Sequence, residues 1–388
     1  MNRTIELFNE DAHAVAFTAQ LLSVSEEAGG LCGLVLDRTA FFPEQGGQDA
    51  DKGTLTILGK AYPVQNVTVA DGVITHFVKA AAAEAGFTEG LSVEGLVDWN
   101  RRFDYMQQHT GEHILSGIAH SLYKCNNVGF HLSEREVTFD LDIALSLEDV
   151  RKIELLANEA VYKNIPVSIT YPDPEALKSL EYRSKLEITE NVRIVTIDGY
   201  DCCACCAPHV DTTGQIGMIK VVSVMSHRGG VRITILCGKR ALMDYTAAAD
   251  VVSDAMARLS ASREKIGTAI DKLKEDVTKE RDARLVTQQH LIDSQLLKVD
   301  PNAENVTLVY PALDNLAMRE TVNGLVEKHS GYCAVYAGNE EKGYSFIIGS
   351  KEQDCNALAG LLRSEQGAKC GGSATMIQGS MKSVYWFN

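Results

Sequence analysis

Residues 1 to about 98 alternate apolar and polar positions over short runs, clearest in HAVAFTAQL, LCGLVLD, GTLTIL, GVITHFV and LSVEGLVDW. A period of two sends successive side chains to opposite faces of a strand. Gly and Asp punctuate the runs, as in EEAGG, DADKG and ADG, so the pattern predicts a small β-barrel or sandwich. One loop, RTAFFPEQGGQ at Arg38–Gln48, interrupts it. From about 101 the period lengthens. Gln107–Lys124 and Leu147–Lys163 read as helices, the second opening on Ser146 and Asp149 as a loose capping box. Asp173-Pro174 reads as an N-cap followed by Pro at the first helical position. Strand patterns return at VSITY, VRIVTI, GMIKVVSV and VRITIL.

Residues 239 to about 297 read as one long helix, with a break allowed. Val252, Met256, Leu259, Ile266, Ile270, Leu273 and Val277 alternate spacings of four and three, interrupted at Arg263, which is a short coiled-coil or helical-hairpin seam. A rigid spacer and a homodimer contact both fit it. The last segment runs VTLVY, a helix from Asp314, YCAVYAG, YSFIIGS, a helix around Asn356–Ser364, and SVYWF. The expected fold class is α+β. Its parts are a β-barrel at 1–98, an α/β domain at 99–238, a helical linker at 239–300 and a C-terminal α/β domain at 301–388.

The formal charge of −15 argues against coating nucleic acid through a global field, but leaves room for a local basic stripe. Residues 247–388 carry 16 Lys and Arg against 19 Asp and Glu, so most of the acidic excess lies upstream. The N-terminus MNRTIELFNEDAHAV has no apolar signal-peptide run, and no stretch of about 18 uncharged apolar residues spans a membrane. A cytoplasmic location without a membrane partner is expected. The ten cysteines then stay reduced, and the cluster at 202–206 reads as metal binding before disulfide.

Chemistry concentrates in two short motifs. QHTGEHIL places His109 and His113 four apart, on one helical face, where two imidazoles can share an ion. The pattern is HxxxH and not the HExxH of metalloproteases. Glu112 falls on a different face and is not assigned as a general base. DCCACCAPHV supplies Cys205 and His209 as CxxxH. Three imidazole nitrogens and one thiolate make a full tetrahedral set for zinc. Spacing alone leaves Cys202, Cys203 and Cys206 as competitors. A full shell also sits awkwardly with a catalytic ion, which usually keeps an open position.

The pair HTGEH and CCAPH resembles the zinc site of the alanyl-tRNA synthetase editing domain. LDRTAFFPEQGGQDADKGTL resembles the barrel motif ahead of that site, and CAPHVDTTGQIGMIKV resembles the family's CGGTHVxxTGxIG. The likeness spans about residues 1–246. The residues ahead of Leu36 leave no room for a class II aminoacylation core, so the chain is identified as a member of the free-standing AlaX editing proteins, in their long form. Residues 239–388 resemble the coiled coil and DHH-associated domain at the end of alanyl-tRNA synthetases. No DHH triplet occurs, which excludes a DHH phosphoesterase.

The resemblance implies a zinc-binding editing domain with zinc at His109, His113, Cys205 and His209. It implies that Gln48 approaches the scissile ester, that Thr110 lies beside the substrate side chain, and that Asp201 orients a ligand or the loop. Thr39, Gly46, Gly47 and Arg102 are the expected substrate contacts. Arg101, Arg102, Lys220 and Arg228 are candidate tRNA backbone contacts. Two departures stand out: Cys206-Ala207-Pro208 replaces Gly-Gly-Thr, and Gly111 stands where Ala is common.

The expected function is zinc-dependent hydrolysis of mischarged tRNA(Ala), seryl first and glycyl second. An alanine pocket cannot strongly reject serine, which only adds a hydroxyl, or glycine, which is smaller. Thr110 would bond the seryl hydroxyl. Two alternatives stand beside this reading. One is a deacylase of the same family acting on another mischarged tRNA. The other is a non-catalytic zinc protein that binds tRNA.

Overall fold

The computed structural model describes residues 3–81, 85–184 and 192–387. Two compact units emerge, Met1–Val251 and Val252–Asn388. The small barrel and the α+β class expected from the periodicity are both present. Among the described residues no helix is long and apolar enough to cross a membrane.

In the first unit, six strands close a barrel: β1 (Ala16–Glu27), β2 (Leu31–Leu36), β3 (Gly53–Ile57), β4 (Lys60–Ala70), β5 (Val73–Lys79) and β6 (Ser92–Val97). Their order is β1-β2-β5-β4-β3-β6, with β6 closing on β1. Strict alternation of exposed and buried positions along β6 shows why the sequence forms this wall. Strand β4 was not legible in the sequence, because Pro63 and the polar pair Gln65-Asn66 blur its alternation. The interrupting loop has two jobs. Its Ala40, Phe41 and Phe42 fill the barrel core, with Phe41 edge-on to Phe17 at 5.9 Å between ring centroids. Its EQGGQ portion lies against the next domain.

Helix α1 spans Trp99–Tyr123. It starts eight residues before the expected Gln107 because Asp98 caps it, accepting bonds from the amides of Asn100 and Arg101. Its middle, Tyr105 to Ala119, is buried on every side, the mark of a helix inside a core rather than on one. Around it lie β7 (Asn127–Leu132), β8 (Val137–Leu141) and α2 (Leu147–Lys163). Next come β9 (Val167–Thr170), β10 (Ile194–Ile197), β11 (Asp201–Ala204), β12 (Ile219–His227) and β13 (Gly230–Cys237). One sheet runs β12-β13-β8-β7 and another β9-β10-β11. Helix α2 matches its expected bounds, and Ser146 and Asp149 form the capping box. Gly111 has a packing reason: a Cβ there would sit 2.4 Å from the Cys237 sulfur, so Ala would force α1 off β13.

The long helix is broken. α3 (Gly238–Leu259) ends before Ser260, whose φ is +49°, and α4 (Ile266–Leu296) resumes after a short 3₁₀ turn. The seam expected from Val252 to Val277 is therefore not one continuous stripe, and Ile270, Leu273 and Val277 are exposed. In the second unit, β14 (Val306–Tyr310), α5 (Asn315–Val326), β15 (Cys333–Asn339), β16 (Gly343–Gly349), α6 (Cys355–Gln366), β17 (Lys369–Gly372) and β18 (Met376–Met381) build a five-stranded sheet ordered β14-β15-β16-β18-β17. Helices α5 and α6 belong to separate apolar cores. The closing strand is not SVYWF. It lies within the glycine-rich GAKCGGSATMIQGS stretch, while Val384, Tyr385 and Phe387 pack as irregular chain against the core.

Candidate metal centre

The two motifs meet. The ligand atoms of His109, His113, Cys205 and His209 all lie within 4.8 Å of one another. His109 Nε2 is 3.5 Å and His209 Nε2 3.3 Å from the Cys205 sulfur. Helix α1 presents the first two from adjacent turns. The loop after β11 presents the other two, and its Cys205, Cys206 and Ala207 pack on the barrel core.

Each imidazole is anchored through its other nitrogen. His109 Nδ1 donates to Gln48 Oε1 at 2.7 Å, and His113 Nδ1 donates to Asp201 Oδ2 at 2.9 Å. The Thr110 hydroxyl donates to the Met106 carbonyl at 2.8 Å, so its oxygen accepts from His209 Nδ1 at 3.0 Å. With the proton on Nδ1, a neutral ring offers its Nε2 lone pair to an ion. Such partners fix ring orientation and raise ligand basicity.

Electrostatics favour a thiolate at Cys205 and a neutral His209, whereas His113 holds a proton that a bound ion would have to displace. Burial opposes a thiolate at Cys205, but the facing imidazoles, His109 foremost, hold its pKa well below the usual thiol range. Burial pushes His209 down to about 3. Burial also disfavours a charged His113, yet the Asp201 carboxylate holds its pKa well above the ordinary value. The donor set is the one zinc prefers, and the residues fit that ion.

The competing cysteines separate by position. Cys203 lies within 4.8 Å of ligand atoms of His113 and Asp201. Asp201, however, is committed to His113 through one oxygen and to Arg183 Nε at 2.7 Å through the other. Cys202 takes a contact from the Thr196 hydroxyl, and Cys206 lines the cavity beside the ligands. All ten cysteines are free.

Gln48 reaches His109 because its loop is zipped to the end of β7. Leu132 N donates to the Gly47 carbonyl at 2.7 Å, and Asp49 N donates to the Leu132 carbonyl at 2.9 Å. Gly47 is required there: its φ is +86°, and a Cβ would fall 2.3 Å from the Phe130 carbonyl oxygen. Gly46 lines a cavity of about 360 Å³ that opens on the ligands.

The geometry corrects several expectations. Thr110, expected beside the substrate side chain, is fully buried and bonded to Met106, His209 and the Val210 amide. Gln48 sits at the cluster, its Oε1 accepting from His109 Nδ1. Thr39 is buried in the barrel between His76 and the Phe41 amide. Arg102 is wholly buried, paired with Asp51 and bonded to the Ala12 and Ala40 carbonyls. Arg101 is paired with Glu134, and Lys220 with Glu154. Of the candidate tRNA contacts, Arg228 occupies a hairpin turn between β12 and β13 with φ +47°.

The cavity also holds residues that the motifs did not announce: Glu112, Asn127, Phe130, Arg183 and Arg193. Glu112, expected on a different face from the ligands, lines the cavity with His109, because residues three apart on a helix are neighbours. That spacing was the available signal. Asn127, Arg183 and Arg193 carry no local pattern.

Two family models match the chain. Residues 5–101 match tRNA synthetases class II (A), and residues 192–234 match the threonyl and alanyl tRNA synthetase second additional domain. The first segment holds Gln48 and the second holds Cys205 and His209. The alanine–tRNA ligase of Pyrococcus furiosus is 29% identical over 398 residues, covering 98% of this chain and 42% of the ligase. That of Caldivirga maquilingensis is 30% identical over 398 residues, covering 97% and 42%. That of Ignicoccus hospitalis is 30% identical over 283 residues, covering 71% and 30%. The chain thus spans at most 42% of these relatives' length. The barrel and the cysteine-histidine loop both lie inside matched segments, so the chain is similar to alanine–tRNA ligases over a class II synthetase segment and a threonyl and alanyl tRNA synthetase second additional domain.

Proposed function

We propose that this protein hydrolyses the aminoacyl ester of mischarged tRNA(Ala), acting in trans as AlaX editing proteins do, with the seryl ester as first substrate and the glycyl ester as second. One observation carries the reading. Four zinc-type ligands, each imidazole anchored by its own partner, converge on a cavity within an alanyl-tRNA synthetase-like chain. The partner would be the acceptor end of tRNA, and the setting the cytoplasm. A homodimer through the helical segment or the C-terminal domain is part of the same proposal.

Ester hydrolysis needs a held carbonyl, a directed water and stabilisation of developing negative charge. His109, His113, Cys205 and His209 would hold zinc, which supplies Lewis acidity toward an ester carbonyl. Gln48, Asp201 and Thr110 keep the three imidazoles aimed. Gly46 and Cys206 bound the cavity on the loop side, and Phe130 contributes an apolar wall. Because Thr110 is spent on His209, selectivity for the acyl side chain must come from the cavity wall, where Cys206 stands in place of a glycine.

Deacylation of seryl-tRNA(Ala) and alanyl-tRNA(Ala) by wild type and His109→Ala tests this. The expected result is loss of the seryl ester alone, abolished in the variant. Hydrolysis of neither ester by zinc-loaded protein would overturn it. The four-ligand shell favours one other reading, a zinc protein that binds tRNA without turnover. That protein would retain tRNA in the same assay and leave both esters intact.

A further inference from the structure

Two buried arginines of the first unit are built differently. Arg102 is paired with Asp51, and its other donors meet the Ala12 and Ala40 carbonyls. Arg193 is 7% exposed, yet no carboxylate of the described residues lies within 4.0 Å of it, and Glu6 feels its charge only from farther away. A cation kept in a poorly polarisable interior without a close counter-ion is costly. Its guanidinium is clamped to the loop that carries two of the ligands. Nη1 donates to the Cys205 carbonyl at 2.8 Å and to the Ala207 carbonyl at 2.9 Å, and the Cys205 amide donates to the Arg193 carbonyl at 3.1 Å. Two carbonyls ask only for N–H donors, which an amide side chain supplies without burying a charge. Nε is sealed from solvent and has no hydrogen-bond partner. Nη2 makes no hydrogen bond among the described residues and, unlike Nε, is not sealed. Arg193 lines the cavity together with His109, His113 and Cys205.

This geometry limits what the guanidinium can take. Carboxylates and phosphates are commonly met by two parallel N–H donors. With Nη1 engaged and Nε sealed, Arg193 offers one nitrogen, which suits a single oxygen that gains negative charge. Ester hydrolysis makes such an oxygen. Water adds to the carbonyl carbon, and the carbonyl π pair moves onto the carbonyl oxygen. Collapse returns that pair as the ribose oxygen leaves and takes the proton given up by the water, so the products are the free amino acid and the ribose hydroxyl. A donor already fixed at the oxygen stabilises this charge without reorganising. We propose that Arg193 Nη2 donates to the carbonyl oxygen of the aminoacyl ester as it becomes an oxyanion. The proposal rests on the deacylase reading and deepens it, by giving the reacting oxygen a charged donor from the chain itself. The bonds to the Cys205 and Ala207 carbonyls fix where that donor stands relative to the ligand loop.

Two stable analogues test this on the zinc-loaded full chain. One is the seryl amide of 3′-amino-3′-deoxyadenosine, which keeps a planar carbonyl. The other is the matching phosphonamidate, whose tetrahedral phosphorus carries the oxygens that water attack would produce. Calorimetry compares them on wild type and Arg193→Gln. The variant should bind the phosphonamidate about 10- to 100-fold more weakly, the range for a hydrogen bond to a charged group. Its affinity for the planar amide should change by less than about twofold, because the bond strengthens only as charge develops. In deacylation of seryl-tRNA, kcat should fall about 100-fold with KM nearly unchanged. Equal losses for the two analogues would place Arg193 in ground-state binding, and no loss for either would leave it a loop clamp; both overturn the assignment. A crystal structure of wild type with the phosphonamidate serves even if the variant misfolds or loses zinc. An analogue oxygen within about 3.2 Å of Arg193 Nη2 is expected, and a separation beyond about 4 Å overturns the assignment. Deacylation of seryl-tRNA without that contact removes the Arg193 donor and leaves the hydrolase standing. The contact without deacylation keeps the anion-binding arginine and removes the hydrolase. Binding of neither analogue, without deacylation, removes both.

Discussion

The two units treat buried polar groups in opposite ways. In Met1–Val251 the interior holds Gln48, Asp51, His76, Arg102, Gln108, His109, Thr110, Glu112, His113, Asp201 and His209. In Val252–Asn388 the buried polar residues among those described are Thr321, His329 and Ser350, set in apolar cores. Thr321 bonds the Ala317 carbonyl of its own helix, and His329 bonds the Ala303 carbonyl. Each of these is a single side chain met by one backbone carbonyl. In the first unit the polar groups instead form chains across distant segments, such as loop to helix in Gln48–His109 and helix to strand in His113–Asp201. Buried networks are costly when incomplete, so their concentration in one unit marks where the molecule carries its chemistry.

The largest effect should come from breaking the Asp51–Arg102 pair. Asp51→Ala leaves a guanidinium buried without its counter-ion, which costs about 3–5 kcal/mol. Urea unfolding of the first unit's barrel signal should shift accordingly. A loss below about 1 kcal/mol would show that water reaches Arg102 and that the contrast between the units is weaker than drawn.

His76 sharpens the contrast through pH. Its Nδ1 donates to the Leu34 carbonyl and its Nε2 accepts from Thr39. Burial lowers its pKa from 6.5 to about 4. The folded state thus refuses a proton that the unfolded state accepts. Stability is complete above pH 6.5, falls as pH drops through the window, and has lost about 3 kcal/mol below the folded pKa. His76→Gln should flatten this part of the stability–pH curve. Identical slopes for the two proteins between pH 7 and pH 4 would contradict the assignment.

Asp201→Asn should weaken zinc binding by about 10- to 100-fold, the usual cost of removing a group that orients a ligand. Competition against a chelator measures it, and an unchanged affinity would demote Asp201 to a packing residue. The smallest effect is expected in the second unit. Thr321→Val removes one hydrogen bond within a helix and should cost about 1 kcal/mol, with zinc affinity and deacylation unchanged. A change in either would mean that the second unit influences the site.

What the sequence determined by itself was local. His109 and His113 share a helical face, and Cys205 and His209 share a loop, because covalent spacing fixes both pairs. The alternation of β6, the capping box of α2 and the Asp173 cap followed by Pro174 were legible for the same reason. Tertiary structure decided which atoms those residues turn toward. Gln48 and His109 are 61 residues apart, and Thr110 and His209 are 99 apart. No periodicity encodes such pairings; they follow from the docking of the barrel loop on β7 and of the cysteine loop on α1. That docking set Gln48 against His109 and Thr110 against His209. It drew Arg102 into a buried ion pair and brought Glu112 to the cavity. Side-chain direction within a helix follows from sequence spacing, but what lies opposite a side chain is set by the packing of segments far apart in the chain.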